Sequence, residues 1–316
     1  MRLPRLSRSR AERKVPVKNS EKIVEGYMPY LGFQTYYRIV GEPHEGRAPL
    51  ILLHGGPGGT QNYFQTLDRL ADDGRQLIMY DQIGCGKSFV EGHEELWHSK
   101  TWINELIELR RYLGIDQCHL LGQSWGGMMI IEYMCDCQPE GVLSNIVSSG
   151  LPSTALWAEE QHRMLRYLPQ EEQDAVLLAE ETKNYDDPMY QQALAHYMSQ
   201  HGGARRGPDA PECVRRPYKD GELSYLMTQG VSEFGATGNF VGWEYRDKLH
   251  TIKQPTLIMN GSDDLCTPVV AKCMADGIPN SEWHMFVNQR HSCYVEANGE
   301  YCELVGEWLR RHDPKE

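Results

Sequence analysis

CHLLGQSWGGMMIIEYMCD, residues 118–136, gives the clearest indication of the fold of this chain. It joins an apolar run of strand length to a segment with helical spacing, and the turn between them reads Gly-Gln-Ser-Trp-Gly. A strand, a G-x-S-x-G turn and a helix in this order are typical of a nucleophile elbow, in which a serine hydroxyl is exposed on a sharp turn. Side chains at Gly122 and Gly126 would clash with neighbouring backbone in such a turn. Ser124 is therefore predicted to be a nucleophile.

Short apolar runs alternate with helical segments on both sides of this stretch. Residues 22–40 are rich in β-branched and aromatic residues around Leu31-Gly32, which predicts an antiparallel hairpin. Residues 101–114 and 128–136 have helical spacing. This alternation indicates an α/β fold, with a mostly parallel sheet flanked by helices. Five runs have the length and punctuation of buried parallel strands: LILLH (50–54), QLIMY (76–80), CHLLG (118–122), SNIVSS (144–149) and TLIMNG (256–261).

The alternation stops in residues 151–245. Charged segments with helical spacing, such as residues 154–168 and 171–181, replace the apolar runs, and a loop rich in Gly, Pro and Arg follows them. We predict that residues 151–245 form an inserted, mainly helical cap on a core made of residues 22–150 and 246–316. Acidic residues outnumber basic ones in the cap. They form either an acidic lid over the site or an ordinary solvated face.

Two further residues can complete a catalytic triad with Ser124. A serine hydroxyl needs a positioned base, and that base needs an orienting carboxylate. In chains with a nucleophile elbow these groups follow in the order Ser, Asp or Glu, His. Asp264 fits the second place because it lies just past the predicted strand at 256–261, with its neighbour Asp263 as the alternative. His291 fits the third, because it follows a strand-like run and precedes a C-terminal helix.

Backbone N–H groups near Ser124 are expected to form an oxyanion hole. The residue after the nucleophile supplies one N–H group, and an earlier loop supplies the second. Trp125 is the first donor on this pattern. HGGPGG, residues 54–59, ends a predicted strand, and we predict that Gly56 in this loop is the second donor. His54 is predicted to hold the loop in place and to take no part in the chemistry.

Composition and charge exclude several other classes of function. A net charge of −12 argues against nucleic acid or an anionic membrane as a partner. The nine cysteines are scattered, odd in number and without zinc-ligand spacing, so we expect reduced thiols and no metal site. GCGKS, residues 84–88, resembles the end of a phosphate-binding loop. It has Asp81 where that loop requires a glycine, so we predict no nucleotide site.

The sequence also predicts where the protein is found. No run reaches the length of a membrane span, and the N-terminus lacks the apolar run of a signal peptide, so we expect a cytoplasmic protein. Residues 1–21 are basic at their start and lack periodicity. We predict that they form a disordered leader, to which we assign no function. The pattern predicts no particular oligomeric state.

Four motifs occur together in this chain: HGGPGG (54–59), DQIGCGKS (81–88), GQSWGG (122–127) and GSDDLCTP (261–268). In combination they resemble the prolyl aminopeptidases, also called proline iminopeptidases, above all the cytoplasmic enzymes of lactobacilli and related bacteria. The resemblance runs from about residue 22 to the C-terminus. It implies an α/β-hydrolase core with a helical cap, and an enzyme that releases an N-terminal residue, preferably proline, from short peptides.

The resemblance also implies how a substrate is held. In this family, glutamates from the cap bind the free amino group of the substrate, and Glu233 in Ser232-Glu233-Phe234 is similar to one of them. Some relatives carry a second glutamate directly after the triad aspartate, where this chain has Leu265. Residues 288–290 also depart from the small residue or glycine that usually precedes the histidine.

The triad residues predict acyl transfer to Ser124, followed by hydrolysis of the acyl-enzyme. The resemblance implies that the substrate is a short peptide with a free N-terminal proline. No metal or organic cofactor is expected. A related amidase or esterase would use the same triad, so the sequence leaves that alternative open. A dehalogenase or epoxide hydrolase would carry aspartate at position 124. A complete triad also argues against a member of the fold that only binds.

Overall fold

The computed structural model describes residues 18–203 and 207–315, and within them eight strands form one sheet. The strands are β1 (Ile23–Tyr30), β2 (Phe33–Val40), β3 (Leu50–Leu53), β4 (Leu77–Tyr80), β5 (Cys118–Gln123), β6 (Val142–Ser148), β7 (Thr256–Gly261) and β8 (Ser281–Phe286). Their order in the sheet is β1-β2-β4-β3-β5-β6-β7-β8. β2 is antiparallel to both of its neighbours, and the pairs from β4 to β8 are parallel.

The helices lie between the strands and after them. They are α1 (Ser99–Tyr112), α2 (Trp125–Glu132), α3 (Thr154–Leu165), α4 (Gln170–Thr182), α5 (Pro188–His201), α6 (Glu212–Arg215), α7 (Glu222–Thr228), α8 (Pro268–Gly277), α9 (Cys293–Glu296) and α10 (Asn298–His312). A long 3-10 helix, Gln61–Asp73, follows β3, and a π-helical turn, Tyr133–Cys137, extends α2. Helices α3 to α7 all fall between β6 and β7, inside the predicted cap.

The hairpin and the five parallel strands expected from the sequence are confirmed. Leu31 and Gly32 form the turn of the hairpin, and both have positive φ angles, 49° and 81°. The parallel strands are buried, as their uninterrupted apolar runs indicate. Their carboxyl ends therefore meet at one edge of the sheet, where Ser124 follows β5.

Apolar side chains pack on both faces of the sheet. On one face Trp102 of α1 and Trp125 of α2 belong to the larger cluster of buried residues. On the other face Phe64 of the 3-10 helix and Trp308 of α10 belong to a second cluster. Buried side chains between β6 and β7 form a third cluster, which includes Tyr190, Tyr197 and Phe234 and also takes in Leu265 after β7. The sheet is thus covered on both sides, and the inserted helices carry a separate small core.

The predicted leader lies mostly outside the described residues, which begin at residue 18. Asn19–Glu21 form one 3-10 turn. The side chain of Asn19 donates a hydrogen bond to the carbonyl of Ala71 over 2.8 Å and accepts one from the N–H of Glu42 over 2.9 Å. At these residues the structure departs from the predicted disorder, because Asn19 bonds to backbone groups of two core segments.

Candidate active site

Ser124 occupies the turn between β5 and α2. Its φ and ψ angles are 56° and −120°, a conformation that is uncommon for residues with a side chain and is found at functional sites. A Cβ atom on Gly122 would lie 2.1 Å from the carbonyl oxygen of Gly126. A Cβ atom on Gly126 would lie 1.9 Å from the carbonyl oxygen of Leu53. The backbone is therefore too close for a side chain at either glycine, as the sequence predicted.

His291 and Asp264 come together beside this turn. Nδ1 of His291 donates a hydrogen bond to Oδ1 of Asp264 over 2.6 Å, and both side chains are buried. His291 and Ser124 line the same cavity. The alternative carboxylate, Asp263, is exposed and accepts a hydrogen bond from the hydroxyl of Ser262 over 3.2 Å. The structure thus brings Ser124, Asp264 and His291 to one edge of the sheet and leaves the Asp263 side chain in solvent.

The carboxylate of Asp264 is held by further donors. Its Oδ1 atom accepts a hydrogen bond from the N–H of Cys266 over 2.8 Å. Its Oδ2 atom accepts bonds from the hydroxyl of Ser149 over 2.6 Å and from the N–H of Gly261 over 3.2 Å. Hydrogen bonds of this kind fix the orientation of a carboxylate. Ser149 was not predicted from the sequence, although it lies directly after β6, at the same sheet edge as Ser124.

Asp264, Cys266 and His291 also place one potential metal-ligand atom each within 4.8 Å of one another. A cysteine binds metal as the thiolate. Burial raises the pKa of the Cys266 thiol well above its usual value, so the sulfur keeps its proton. Both oxygens of Asp264 are already occupied by hydrogen-bond donors. This chemistry fits an oriented triad better than a metal site.

The two residues predicted for the oxyanion hole line the cavity that contains Ser124. Gly56 lies in the loop after β3 and has a φ angle of 125°. Trp125 begins α2, and the N–H groups of the first helical turn have no acceptor within the helix. Such N–H groups are available to a developing negative charge. Gly56 and Trp125 therefore both border the cavity that contains Ser124, and their role as oxyanion donors stays a prediction.

His54 fixes the base of the Gly56 loop. Its buried ring donates from Nδ1 to the carbonyl of Gly55 over 2.9 Å and accepts at Nε2 from the N–H of Gln82 over 2.9 Å. Burial lowers the pKa of His54 to about 4, so the ring is neutral at physiological pH. The side chain of Gln82 donates to the carbonyl of His54 and accepts from the indole of Trp125, each over 2.9 Å. Gln82 thus connects the two sides of the predicted oxyanion hole.

The cavity at Ser124, called the catalytic cavity below, has a volume of about 160 Å³. Helices and loops between β6 and β7 supply much of its wall. Glu233 lies there, and one of its carboxylate oxygens accepts a hydrogen bond from the hydroxyl of Tyr225. The wall also carries apolar side chains, namely Met128, Leu151, Trp157, Met198, Phe240 and Leu265. The geometry offers a serine with a histidine–aspartate pair at one small chamber, whose wall combines apolar side chains with polar ones and contains a carboxylate.

Comparison with known proteins agrees with this geometry. A family model described as the alpha/beta hydrolase fold matches residues 48–297. The proline iminopeptidase of Clostridioides difficile (strain 630) is 52% identical over 292 residues, which cover 92% of this chain and 100% of that protein. The proline iminopeptidase of Lactobacillus helveticus is 51% identical over 294 residues, 92% and 99% of the two chains. The chain belongs to the proline iminopeptidase family.

Solved structures extend the similarity to three dimensions. The crystal structure of a proline iminopeptidase from Mycobacterium smegmatis superposes with a TM-score of 0.81 at 29% identity, covering 92% of this chain and 99% of that one. The crystal structure of VinJ gives the same TM-score at 28% identity. This proline iminopeptidase family member is therefore an α/β hydrolase.

No helix within residues 18–203 and 207–315 has both the length and the hydropathy to cross a membrane.

A second network, which the sequence analysis missed, links the two loops of this family member that flank Ser124. The N–H of Gly55 donates to the hydroxyl of Tyr63 over 2.7 Å, and that hydroxyl donates to Oε1 of Gln123 over 2.9 Å. The amide nitrogen of Gln123 donates to the carbonyl of His291 over 3.3 Å. Gln123 directly precedes the nucleophile. Through Tyr63 and the carbonyl of His291, its buried side-chain amide fixes the Gly56 loop and the His291 loop relative to each other.

Helix α5 ends against the triad loops of this family member. Nδ1 of His201 donates to the carbonyl of Asp263 over 2.8 Å, and the N–H of His291 donates to the carbonyl of His201 over 3.1 Å. From α3, the amide of Gln161 donates to the carbonyl of Leu265 over 2.8 Å. The inserted helices are thus bonded to both triad loops. The two glycines after His201 indicate the end of a helix in the sequence. They do not indicate that His201 bonds to the backbone of Asp263 and His291.

Proposed function

We propose that this prolyl aminopeptidase releases N-terminal proline from short peptides through an acyl-enzyme on Ser124. The observation that carries the proposal is the size and chemistry of the catalytic cavity. Its volume, about 160 Å³, is below the roughly 300–1,000 Å³ that is usual for ligand pockets. It has room for one small residue and contains a carboxylate, Glu233. A chamber of this size with a carboxylate in its wall accommodates the first residue of a peptide. It excludes a peptide that has further residues on the N-terminal side of the residue to be released.

In the proposed reaction His291 accepts the proton of the Ser124 hydroxyl as the oxygen attacks the carbonyl carbon of the first residue. Asp264 holds the imidazole in the required orientation and stabilises its charged form. The N–H groups of Gly56 and Trp125 bind the negative oxygen of the tetrahedral intermediate. The C–N bond then breaks, and the leaving amine takes the proton from His291. Water, deprotonated by His291, hydrolyses the ester, so the first residue is released and Ser124 regains its proton.

In this proposal Glu233 binds the free amine of the substrate. An ammonium group that donates to a carboxylate forms a charge-assisted hydrogen bond, which contributes about 1.5–3 kcal/mol. The hydroxyl of Tyr225 already donates to Glu233, which holds the carboxylate in place for this contact. Proline suits the chamber because its secondary ammonium keeps two donors while its ring packs on apolar side chains such as Trp157 and Phe240.

We further propose the division into a core, residues 22–150 and 246–316, and a cap, residues 151–245. The third cluster of buried residues, whose members except Leu265 all lie between β6 and β7, supports this division. We also propose that the enzyme acts in the cytoplasm on short peptides. All nine cysteines are unpaired, which is typical of proteins in a reducing compartment.

A substrate panel tests the proposal. We would compare the naphthylamides of proline, alanine and leucine with a simple phenyl ester, on the parent enzyme and on Ser124→Ala. The proline substrate should give the highest kcat/KM. Ser124→Ala should lose both hydrolysis and labelling by a fluorophosphonate, with an unchanged melting temperature. Preference for the ester over every amino-acid amide would instead favour a related esterase, and activity that survived in Ser124→Ala would contradict the mechanism.

A further inference from the structure

A second cavity, called the outer cavity below, adjoins the catalytic cavity and has a volume of about 340 Å³. Gly56 and Tyr225 line both cavities, so the two meet at the predicted oxyanion loop. The reaction as described above uses only the smaller one. The outer cavity is lined by residues 55–60, by residues 213–226 in part, and by Asn62, Tyr63, Gln123 and Tyr294.

We propose that the outer cavity binds the leaving part of the peptide and selects a bulky apolar or aromatic side chain at the second residue. This inference rests on the proposed function, since it needs the first residue to occupy the catalytic cavity. The scissile carbonyl must then lie at Ser124 with its oxygen near Gly56. Because Gly56 also borders the outer cavity, the chain beyond the scissile bond has a direct path into it.

The position of His291 agrees with a peptide chain that runs from the scissile bond into the outer cavity. The leaving amine must receive its proton from the histidine, so the leaving group lies on the histidine side of the site. Gln123, in the wall of the outer cavity, donates to the carbonyl of His291 over 3.3 Å. Tyr294, three residues after His291, lies in the same wall and stacks on Tyr63 with ring centroids 4.6 Å apart. The outer cavity therefore reaches the side from which the amine departs.

The described wall of the outer cavity is rich in aromatic and apolar side chains. Tyrosines 63, 218, 225 and 294 contribute to it together with Val214 and Leu226. Aromatic faces pack well against aromatic and aliphatic side chains. Two exposed carboxylates, Asp220 and Glu222, also belong to the lining. A phenylalanine or leucine at the second position would bury its side chain here, whereas glycine would leave the space to water.

The inference can be tested by placing larger side chains in the part of the outer cavity's wall that the cap residues form. Leu226 lies on α7 with 40% of its surface exposed, and among the described residues it lines the outer cavity and not the catalytic one. We would measure kcat/KM for prolinamide, Pro-Gly-amide and Pro-Phe-amide on the parent, on Leu226→Trp and on Val214→Phe, which fills the cavity from α6. Leu178→Trp, on α4 with 56% exposure, is the matched control.

The parent should prefer Pro-Phe-amide to Pro-Gly-amide by about tenfold, the gain from burying one large apolar side chain. Leu226→Trp and Val214→Phe should remove most of this preference, chiefly through KM, and should change prolinamide less than about twofold. Leu178→Trp should behave as the parent. The inference is overturned if both filling variants keep the preference, or if all three substrates lose activity equally. If the parent hydrolyses no proline amide although fluorophosphonate labels Ser124, the proposed function itself fails.

Discussion

Nδ1 of His291 lies 2.6 Å from Oδ1 of Asp264, and both side chains are buried. Asparagine at position 264 could not stabilise the charged imidazole or select its tautomer. Asp264→Asn should therefore lower kcat by about 10³- to 10⁴-fold. Asp263→Asn is the matched control, because that side chain is exposed, and it should change kcat less than about twofold. Steady-state kinetics with proline naphthylamide measures both. An equal loss in the two variants would show that Asp264 has no special role.

The loop that carries Gly56 packs closely against the inserted helices. Gly58 has a φ angle of 92°, and a Cβ atom there would lie 2.6 Å from the carbonyl oxygen of Gly221. Gly58→Ala should displace the loop, and a shift of about 1 Å at the oxyanion hole should lower kcat/KM by about 100-fold. Gly46→Ala is the control, because Gly46 also has positive φ but no atom within 4 Å of its added Cβ. If the two variants were equally active, the Gly56 loop would not depend on this contact.

The parts of the structure that sequence could predict are those that local pattern determines. The parallel strands β3 to β7 are buried on both faces, so each appears as a short apolar run. Gly122 and Gly126 identified the elbow because backbone approach leaves no room for a side chain at either position. Asp264 and His291 followed from the order of the triad and from their positions after β7 and β8. The sequence favoured Asp264 over Asp263 only through its place in the loop after β7. In the structure the Asp264 side chain is buried and the Asp263 side chain is exposed.

The contacts that the sequence did not predict join residues far apart in the chain. Ser149 reaches Asp264 across 115 positions, and Gln123 reaches His291 across 168. No local spacing encodes such a pair, because it exists only once the sheet has brought the strand ends together. Helix α5 was also missed, although the side chain of Asp187 caps its N-terminus and Pro188 begins it. Its buried residues face the small core of the inserted helices. The contrast in hydrophobicity between its buried and exposed faces is small, so its sequence shows only a weak helical pattern of apolar residues.

Glu105 of α1 should make stability depend on pH. Its buried carboxyl group accepts hydrogen bonds from the hydroxyl of Thr35 and the N–H of Ile83. Burial raises the pKa of Glu105 to about 8, whereas a glutamate in an unfolded chain has a pKa of about 4.3. Between these values the folded protein holds a proton that the unfolded chain releases. The free energy of unfolding should therefore fall as pH rises through this range, by up to about 1.4 kcal/mol per pH unit from this group.

Glu105→Gln should remove that contribution, so the variant should lose less stability than the parent between about pH 5 and pH 8. Urea unfolding at several pH values measures the difference. Asp81 and His54 also have shifted pKa values, about 6 and about 4, and both are present in parent and variant. The charge of Asp81 helps to raise the pKa of Glu105, so the difference measures Glu105 together with its interaction with Asp81. Glu303→Gln, at an exposed position of α10, should keep the slope of the parent. An unchanged slope in Glu105→Gln would mean that Glu105 is ionised in the folded protein.

In the proposed reaction Ser124 acts on a peptide whose free amine is bound by Glu233. The most direct measurement is the ratio of kcat/KM for proline naphthylamide to that for its N-acetyl form, on the parent and on Glu233→Gln. Acetylation removes the charge and leaves the carboxylate without its ligand, so the parent should prefer the free amine by at least about tenfold. Glu233→Gln should lose most of that preference. Equal hydrolysis of the two substrates by the parent would contradict the account.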